Sequence, residues 1–520
     1  MLKIGKEYLQ STDVYRIVYQ NEKIEIDEYA LKKVSESFEF LKEFSKDKVI
    51  YGINTGFGPM AQYKISETDQ IQLQYNLIRS HSAGSGELLP ERCVRAAMLA
   101  RLNTLLKGYS GVNISVVNLL KEFLNRGIYP NIYKHGGVGA SGDLVQLSHL
   151  ALALIGEGNV RYEGKEQNTA DVLEKLNLKP IEIILREGLA LINGTSVMTG
   201  ISLSNIIKAK KLLNVTILTS SLINEIVKSY DDHFSSELNR VKFHKGQDKV
   251  AKEMRHILSS SKLIKKRQDY LYNGNNNNVI VFEDKVQEYY SLRCVPQILG
   301  PVYDTIINSE EILVSEINSV NDNPIIDKEN NNVFHGGNFH GDYVALEADK
   351  LKIAVTKLSM LIERQLNFLM NDKLNKILPP FVNLGTLGLN LGMQGAQFTA
   401  VSTVAENQTL SNPMSVHSIP NNNDNQDVVS MGTNASLLTQ KVINNTFEVL
   451  SIELISLIQA VDYLKVKDKL SETSQKLYKE IREIVPVFKD DNTLYPSINK
   501  VIAYLKNENK LSDIFKENTI

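Results

Sequence analysis

Large aliphatic residues recur three and four positions apart in two long stretches of this chain: Leu351, Val355, Leu358, Ile362, Leu366 and Leu369, then Ile443, Phe447, Leu450, Leu454, Leu457 and Val461. A helix turns once in about 3.6 residues, so this spacing lays a continuous apolar stripe along one face. A strand, with its alternation of faces, cannot use it. From about residue 197 onward the helical pattern dominates, and the expectation is a mainly α protein with a long central helix bundle. The N-terminal part reads as smaller and mixed. Lys23-Ile24-Glu25-Ile26 alternates as a short strand, after which Asp27 can cap a helix carrying Leu31, Val34, Phe38, Leu41 and Phe44. The predicted organisation is an N-terminal domain over 1–196, a central helical bundle over 197–480 and a C-terminal helical tail over 481–520.

Composition narrows the class. With 520 residues, 42% of them hydrophobic and 23% charged, the chain can fill a large core. A formal net charge of -2 gives no field that would gather a polyanion, so nucleic acid is not an expected partner. Cys93 and Cys294 are far apart and form no C-x-x-C, which argues against a disulfide framework or zinc knuckle and for a reducing compartment. The N-terminus has no apolar signal core and no long apolar run follows, so no membrane is expected and the predicted location is cytoplasmic. Asn273 to Asn278, Asn330 to Asn332 ahead of Gly336-Gly337, and Asn421 to Asp427 punctuate as loops, and solvated turn chemistry is the simplest account of the first. No repeat of fixed period stands out.

The segment His135-Gly136-Gly137-Val138-Gly139-Ala140-Ser141-Gly142-Asp143-Leu144, followed by an apolar helical run over 147–155, holds the unusual chemistry. Gly137, Gly139 and Gly142 match G-x-G-x-x-G, but no clear strand precedes them and no acidic residue follows in a βαβ context. A nucleophile elbow around Ser141 fails because position 143 is Asp. A plain glycine-rich turn before a helix accounts for the composition. A sharper alternative is cyclisation: small residues around Ser141 permit a bend in which the Gly142 nitrogen approaches the Ala140 carbonyl carbon. Loss of water from that ring and from Ser141 leaves a methylidene conjugated to a carbonyl, an electrophile that no ordinary side chain provides. His335 and His340 lack H-E-x-x-H spacing and no carboxylates or cysteines complete a set, so no metal is expected.

Gly139-Ala140-Ser141-Gly142-Asp143-Leu144 resembles the signature of the histidine, phenylalanine and tyrosine ammonia-lyases. The resemblance runs through Tyr51-Gly52-Ile53-Asn54-Thr55-Gly56-Phe57-Gly58, Asn193-Gly194-Thr195, Tyr290-Ser291-Leu292-Arg293-Cys294, Asn321-Asp322-Asn323-Pro324, Gly336-Gly337-Asn338-Phe339-His340 and Asn425-Gln426-Asp427. Gln146 departs from it, standing where many relatives have proline. The resemblance implies a methylidene-imidazolone (MIO) group formed autocatalytically from Ala140-Ser141-Gly142, with no metal or diffusible cofactor, and a homotetramer with shared sites. It assigns Tyr51 as the β-proton base and places Asn193 and Tyr290 beside the prosthetic group. Arg293 is implied as the substrate-carboxylate clamp, with Asn323 as a further contact and Phe339 as an aromatic wall.

Substrate choice turns on two places. Ser80-His81 resembles the pair of histidine ammonia-lyases, whereas some tyrosine enzymes carry the histidine one position earlier and phenylalanine enzymes are apolar there. Gln426 is the residue of the tyrosine and phenylalanine enzymes, where histidine lyases have glutamate. A phenol satisfies both positions, since it donates and accepts without a buried charge, and the Arg79-Ser80-His81 run is similar to that of a subgroup of bacterial tyrosine ammonia-lyases. L-Tyrosine, giving p-coumarate and ammonia, ranks first, histidine to urocanate second and phenylalanine third. A tyrosine aminomutase, which returns the amine to the β-carbon, uses the same group. The non-enzymatic alternatives are a helical scaffold in which residues 139–142 only form a turn, or a catalytically dead relative.

Overall fold

The computed structural model describes residues 1–272, 280–282, 285–507 and 510–511. The Asn273 to Asn278 stretch lies outside the described residues, as do residues 512–520 of the tail. The structure is 59% helical with 8% strand, the mainly α class that the apolar spacing predicts. The two stripes fall in the helices Asp342–Met370 and Gly432–Leu464, and all of their residues are 0–1% exposed. Each such side chain contributes roughly 1.5–3 kcal/mol on burial, which is why the stripe spacing outweighs the middling helix propensity of the many β-branched residues.

The chain divides into two compact units. The first comprises Met1–Ile207, Ser309–Asp349 and Pro413–Gln440; the second comprises Lys208–Asn308, Lys350–Asn412 and Lys441–Ile520. In the first, Leu2–Ile4 pairs in parallel with Ile24–Ile26, Leu2 opposite Ile24. Asp27 then accepts the Tyr29 N–H at 2.9 Å and opens the helix Glu28–Phe44, as its sequence position predicts. Three small antiparallel sheets follow: Ser85–Leu88 with Tyr133–His135, Asn159–Tyr162 between Tyr129–Pro130 and Lys165–Asn168, and Ile325–Asp327 with Asn332–Phe334. The last corrects the loop reading of 330–332. Asn330 and Asn331 make the turn, held by Asn330 donors on both Asp327 carboxylate oxygens at 3.1 and 2.7 Å, and Asn332 already belongs to a strand.

The helix Glu91–Leu106 is buried at every residue from Cys93 to Leu106. Its charged and polar residues therefore need partners inside the first unit. Arg95 donates to the Ile17 and Leu124 carbonyls at 2.7 and 2.6 Å, and Asn103 donates to the Ile317 carbonyl at 2.8 Å. Arg186 is equally buried; its Nη1 and Nη2 reach the Asp322 carboxylate at 3.3 and 3.0 Å, and Nη2 also donates to the Asn323 carbonyl at 2.9 Å. Among the described residues no helix is long and apolar enough to cross a membrane.

Breaking this buried pair from one side leaves an uncompensated charge. Asp322→Ala is expected to lower unfolding free energy by about 3–5 kcal/mol, and the double change Arg186→Met, Asp322→Leu to recover much of it. Denaturant titration of the three chains checks this; equal losses in single and double variants would contradict it.

Candidate active site

Residues 139–142 form a bend held from several directions. The Gly139 carbonyl accepts the Gly341 N–H and the Ser430 hydroxyl, both at 3.1 Å, while Met431 N–H donates to the Val138 carbonyl at 2.9 Å. Gly142 has φ +73°, and a Cβ built there would lie 2.0 Å from the Gly194 carbonyl oxygen, so only glycine fits. That same oxygen accepts the Asp143 N–H at 2.8 Å. The Gly142 N–H has no hydrogen-bond partner among the described residues, so no hydrogen bond has to be given up for this nitrogen to turn toward the Ala140 carbonyl. The bend, the missing side chain and this nitrogen fit a triplet that closes on itself.

Asp143 is fully buried and sends its carboxylate away from its own helix, Leu144–Leu154. Oδ2 accepts the N–H groups of Val197 and Met198 at 2.8 and 2.9 Å, and Oδ1 accepts the Thr433 hydroxyl. The two amides belong to the first turn of Ser196–Ile226, where N–H groups have no partner within the helix. Asp143 thus caps a helix that begins more than fifty residues later.

Beside the bend lies a cavity of about 750 Å³, built wholly from the first unit. Of the residues singled out by sequence it brings together Tyr51, Ser80, His81, Ser141, Asn193, Asn323, Phe339 and Gln426. Asn193 Nδ2 donates to the Ser141 carbonyl and Gln426 Nε2 to Ser141 Oγ, each at 3.0 Å. The Tyr51 hydroxyl accepts the Gly58 N–H at 3.1 Å, and the Tyr51 ring meets Phe57 edge-on. His81 Nδ1 lies 3.1 Å from the Leu77 carbonyl, and burial pulls its pKa down. Asn323 Oδ1 accepts the Gly336 N–H at 2.8 Å. Ala140 is buried beneath the bend with Val429 and Met431.

Tyr290 and Arg293 are not among the residues lining this cavity. They belong to the second unit and line a cavity of about 820 Å³ there, with Lys285, Gln287, Tyr289 and Arg364. The Arg293 guanidinium sits 4.7 Å from the Tyr290 ring centre and donates through Nη1 to Gln287.

The chain matches the family described as aromatic amino acid lyase over residues 9–483. It belongs to the aromatic amino acid lyases. It is 40% identical to the tyrosine 2,3-aminomutase of Chondromyces crocatus, with 97% of this chain and 96% of that protein covered. It is 38% identical to the histidine ammonia-lyase of Bacillus subtilis (strain 168), with 99% and 98% covered. Its fold superimposes on the crystal structure of tyrosine aminomutase from Streptomyces globisporus with a TM-score of 0.95 at 35% identity, covering 100% of this chain and 99% of that one. The family supports ammonia-lyase or aminomutase chemistry on an aromatic amino acid, and the protein is a carbon–nitrogen lyase.

This lyase also uses residues that sequence reading passed over. Gln74 is fully buried; it donates to the Gly52 carbonyl and accepts the Leu189 N–H, both at 2.9 Å, tying the Tyr51 loop to the helix Glu187–Ile192. Its helical spacing, three before Leu77 and four before Ile78, was the available signal. His335, considered from sequence only as a metal ligand, lines the cavity and accepts the Tyr51 N–H through Nε2 at 3.4 Å.

Burial pushes the Asp143 carboxyl up to about 6, against the opposing pull of its Thr433, Met198 and Val197 donors. The folded value lies above the ordinary 3.8, so between the two the unfolded chain has lost a proton that the folded chain still holds. The stability contributed by this group therefore falls as pH rises from about 4 to about 6 and is level above. Asp143→Asn is expected to flatten that segment in urea midpoints measured against pH; an unchanged slope would contradict the assignment.

Proposed function

We propose that this chain eliminates ammonia from L-tyrosine to give p-coumarate, using an MIO group formed from Ala140-Ser141-Gly142. The observation that carries the reading is the set of contacts on the triplet: a Gly142 nitrogen with no partner among the described residues at a left-handed bend, Asn193 on the Ser141 carbonyl and Gln426 on Ser141 Oγ. When formed, the group supplies an electrophilic carbon for the substrate amine. The rest of the chemistry falls to ordinary side chains.

Tyr51 is the base for the β-proton; its oxygen receives one amide donor from Gly58 and keeps a lone pair for the substrate. A positioned base contributes about 10²- to 10⁴-fold. Asn193 Nδ2 faces the Ser141 carbonyl, whose oxygen would take up charge were an amine to add to the group. At the far end of the substrate, His81 meets a carbonyl through Nδ1, which calls for a proton on that nitrogen and leaves Nε2 as an acceptor. Burial lowers its pKa and so favours the neutral ring, to which a phenol O–H can donate, with Ser80 alongside. Gln426 brings no charge to the cavity, which disfavours an imidazolium relative to a phenol. Phe339 supports the ring and Asn323 the carboxylate.

The carboxylate clamp Arg293 and its neighbour Tyr290 act in the same reaction through a homotetramer whose sites draw residues from more than one chain, in keeping with the closed symmetry that such assemblies favour. A second reading rests on the tyrosine 2,3-aminomutase at 40% identity. It shares the elimination and differs in returning the amine to the β-carbon.

Product analysis distinguishes these readings. With L-tyrosine, the expected product is p-coumarate, followed by ultraviolet absorbance, at a kcat/KM above that for L-histidine or L-phenylalanine; accumulation of β-tyrosine by chromatography would establish the second reading, and a preference for urocanate formation would contradict tyrosine as substrate. His81→Ala leaves the buried phenol unpaired and is expected to lower kcat/KM for tyrosine relative to phenylalanine by roughly 5- to 150-fold, from about 1–3 kcal/mol. Refolding inactive Tyr51→Phe chains together with inactive Arg293→Ala chains is expected to restore activity; none in verified mixed assemblies would place each site within one chain.

A further inference from the structure

Arg101 is the largest fully buried side chain that the chemistry above leaves unused. It projects from the helix Glu91–Leu106 onto the residues behind the triplet. Its Nη2 donates to the Ala190 carbonyl, in the last turn of the helix Glu187–Ile192, whose C-terminal cap is Asn193. Carbonyls in a last turn have no partner within the helix, and a cation is favoured there. Nη1 donates to Asn321 Oδ1 at 3.3 Å. It also lies 2.3 Å from the point a Cβ on Gly194 would occupy, so the guanidinium rests directly against the Gly194 backbone. Asp322 stands 4.0 Å away as counter-charge, while Nε is buried with no partner among the described residues. A side chain whose aliphatic replacement would be cheaper to bury is held here by contacts to Ala190, Asn321 and Gly194.

Those contacts lead to the triplet. Asn193 donates to the Ser141 carbonyl at 3.0 Å and the Gly194 carbonyl accepts the Asp143 N–H at 2.8 Å. One bond sets the middle of the triplet and the other sets its end.

We propose that Arg101 is a positioning residue for closure of the Ala140-Ser141-Gly142 ring, acting through Asn193 and Gly194; this rests on the MIO reading of the triplet. In closure the Gly142 nitrogen bonds to the Ala140 carbonyl carbon. The carbonyl oxygen leaves as water with the Gly142 and Ser141 N–H protons, creating a double bond from that carbon to the Ser141 nitrogen. A second water takes the Ser141 Cα proton and the Oγ hydroxyl. Carbon, nitrogen and electrons balance with no oxidant. As the Cα proton leaves, charge moves onto the Ser141 carbonyl oxygen, where Asn193 is aimed. An Asn193 displaced by loss of the Arg101–Ala190 contact no longer meets that charge.

The test uses full-length wild-type, Arg101→Met and Arg101→Lys chains, with intact mass, circular dichroism and thermal melting on each. The wild type is expected lighter than its encoded mass by both waters. Arg101→Met is expected to fold cooperatively while most of the chain keeps one or both waters, and Arg101→Lys, which retains charge but cannot span both contacts, to lose them more slowly over a time course. A folded Met variant that has lost both waters as completely as wild type overturns the proposal. If the Met chain does not fold, the Lys chain decides: slower water loss supports the proposal and a wild-type rate overturns it. A merely structural role would lower the melting point without changing the mass of the folded chain. Wild type at full encoded mass would instead overturn the MIO reading, and this proposal with it.

Discussion

The Asp143 carboxylate is the joint on which the candidate site depends. It takes two amides from the start of Ser196–Ile226 and a hydroxyl from the start of Gly432–Leu464. Helix N-termini present unpaired N–H groups and partial positive charge, so one buried carboxylate satisfies donors that would otherwise be stranded. Because Asp143 directly follows Gly142, the same bonds fix the end of the reactive triplet. Asn193-Gly194-Thr195 leads into the first of these helices, and Ser430-Met431 leads into the second. Both therefore arrive beside the bend as a consequence of how their helices begin.

Backbone can come this close only where side chains are absent. A Cβ on Gly341 or Gly432 would meet Met198 Sδ at 2.7 or 2.5 Å, and one on Gly139 would meet Ser430 Oγ at 2.0 Å. Backbone packed this tightly buries its carbonyls and amides, and the surrounding charges answer that demand. Arg101 and Arg186 are held against Ala190, Asn321, Asp322 and Asn323, the last of which lines the cavity. Burial draws the Arg101 guanidinium down to about 10 and it still carries its charge near neutral pH.

The Asn-rich loop at 421–427 shows how composition becomes geometry. Asn422, Asn423 and Asp424 all have φ between +53° and +58°, a region that Asn and Asp tolerate better than most side chains. Asn421 and Gln426 exchange backbone hydrogen bonds at 3.1 and 3.3 Å across that turn, which delivers the Gln426 amide to Ser141. Read as sequence, the run indicated a loop; nothing in it indicated a left-handed turn of this length.

Helix positions, the mainly α class and the Asp27 cap were legible because they are local: a period of apolar residues or a capping side chain acts within a turn or two of itself. The glycine-serine bend was legible as chemistry, since only small residues allow the chain to fold back so tightly. The meeting of Tyr51, His81, Asn193, Asn323 and Gln426 in one cavity with Ser141 follows from no spacing in the chain; only the resemblance pointed to it. Arg95, Arg101, Arg186 and Gln74 were not read as buried, because charge and polarity predict exposure unless partners exist. Those partners, Ile17, Leu124, Ala190, Asp322 and Gly52, are far off in sequence. Sequence by itself determined where helices run and where the chain can bend. Tertiary structure alone decided which buried polar groups meet, since a hydrogen bond between remote segments exists only once both have been packed into place.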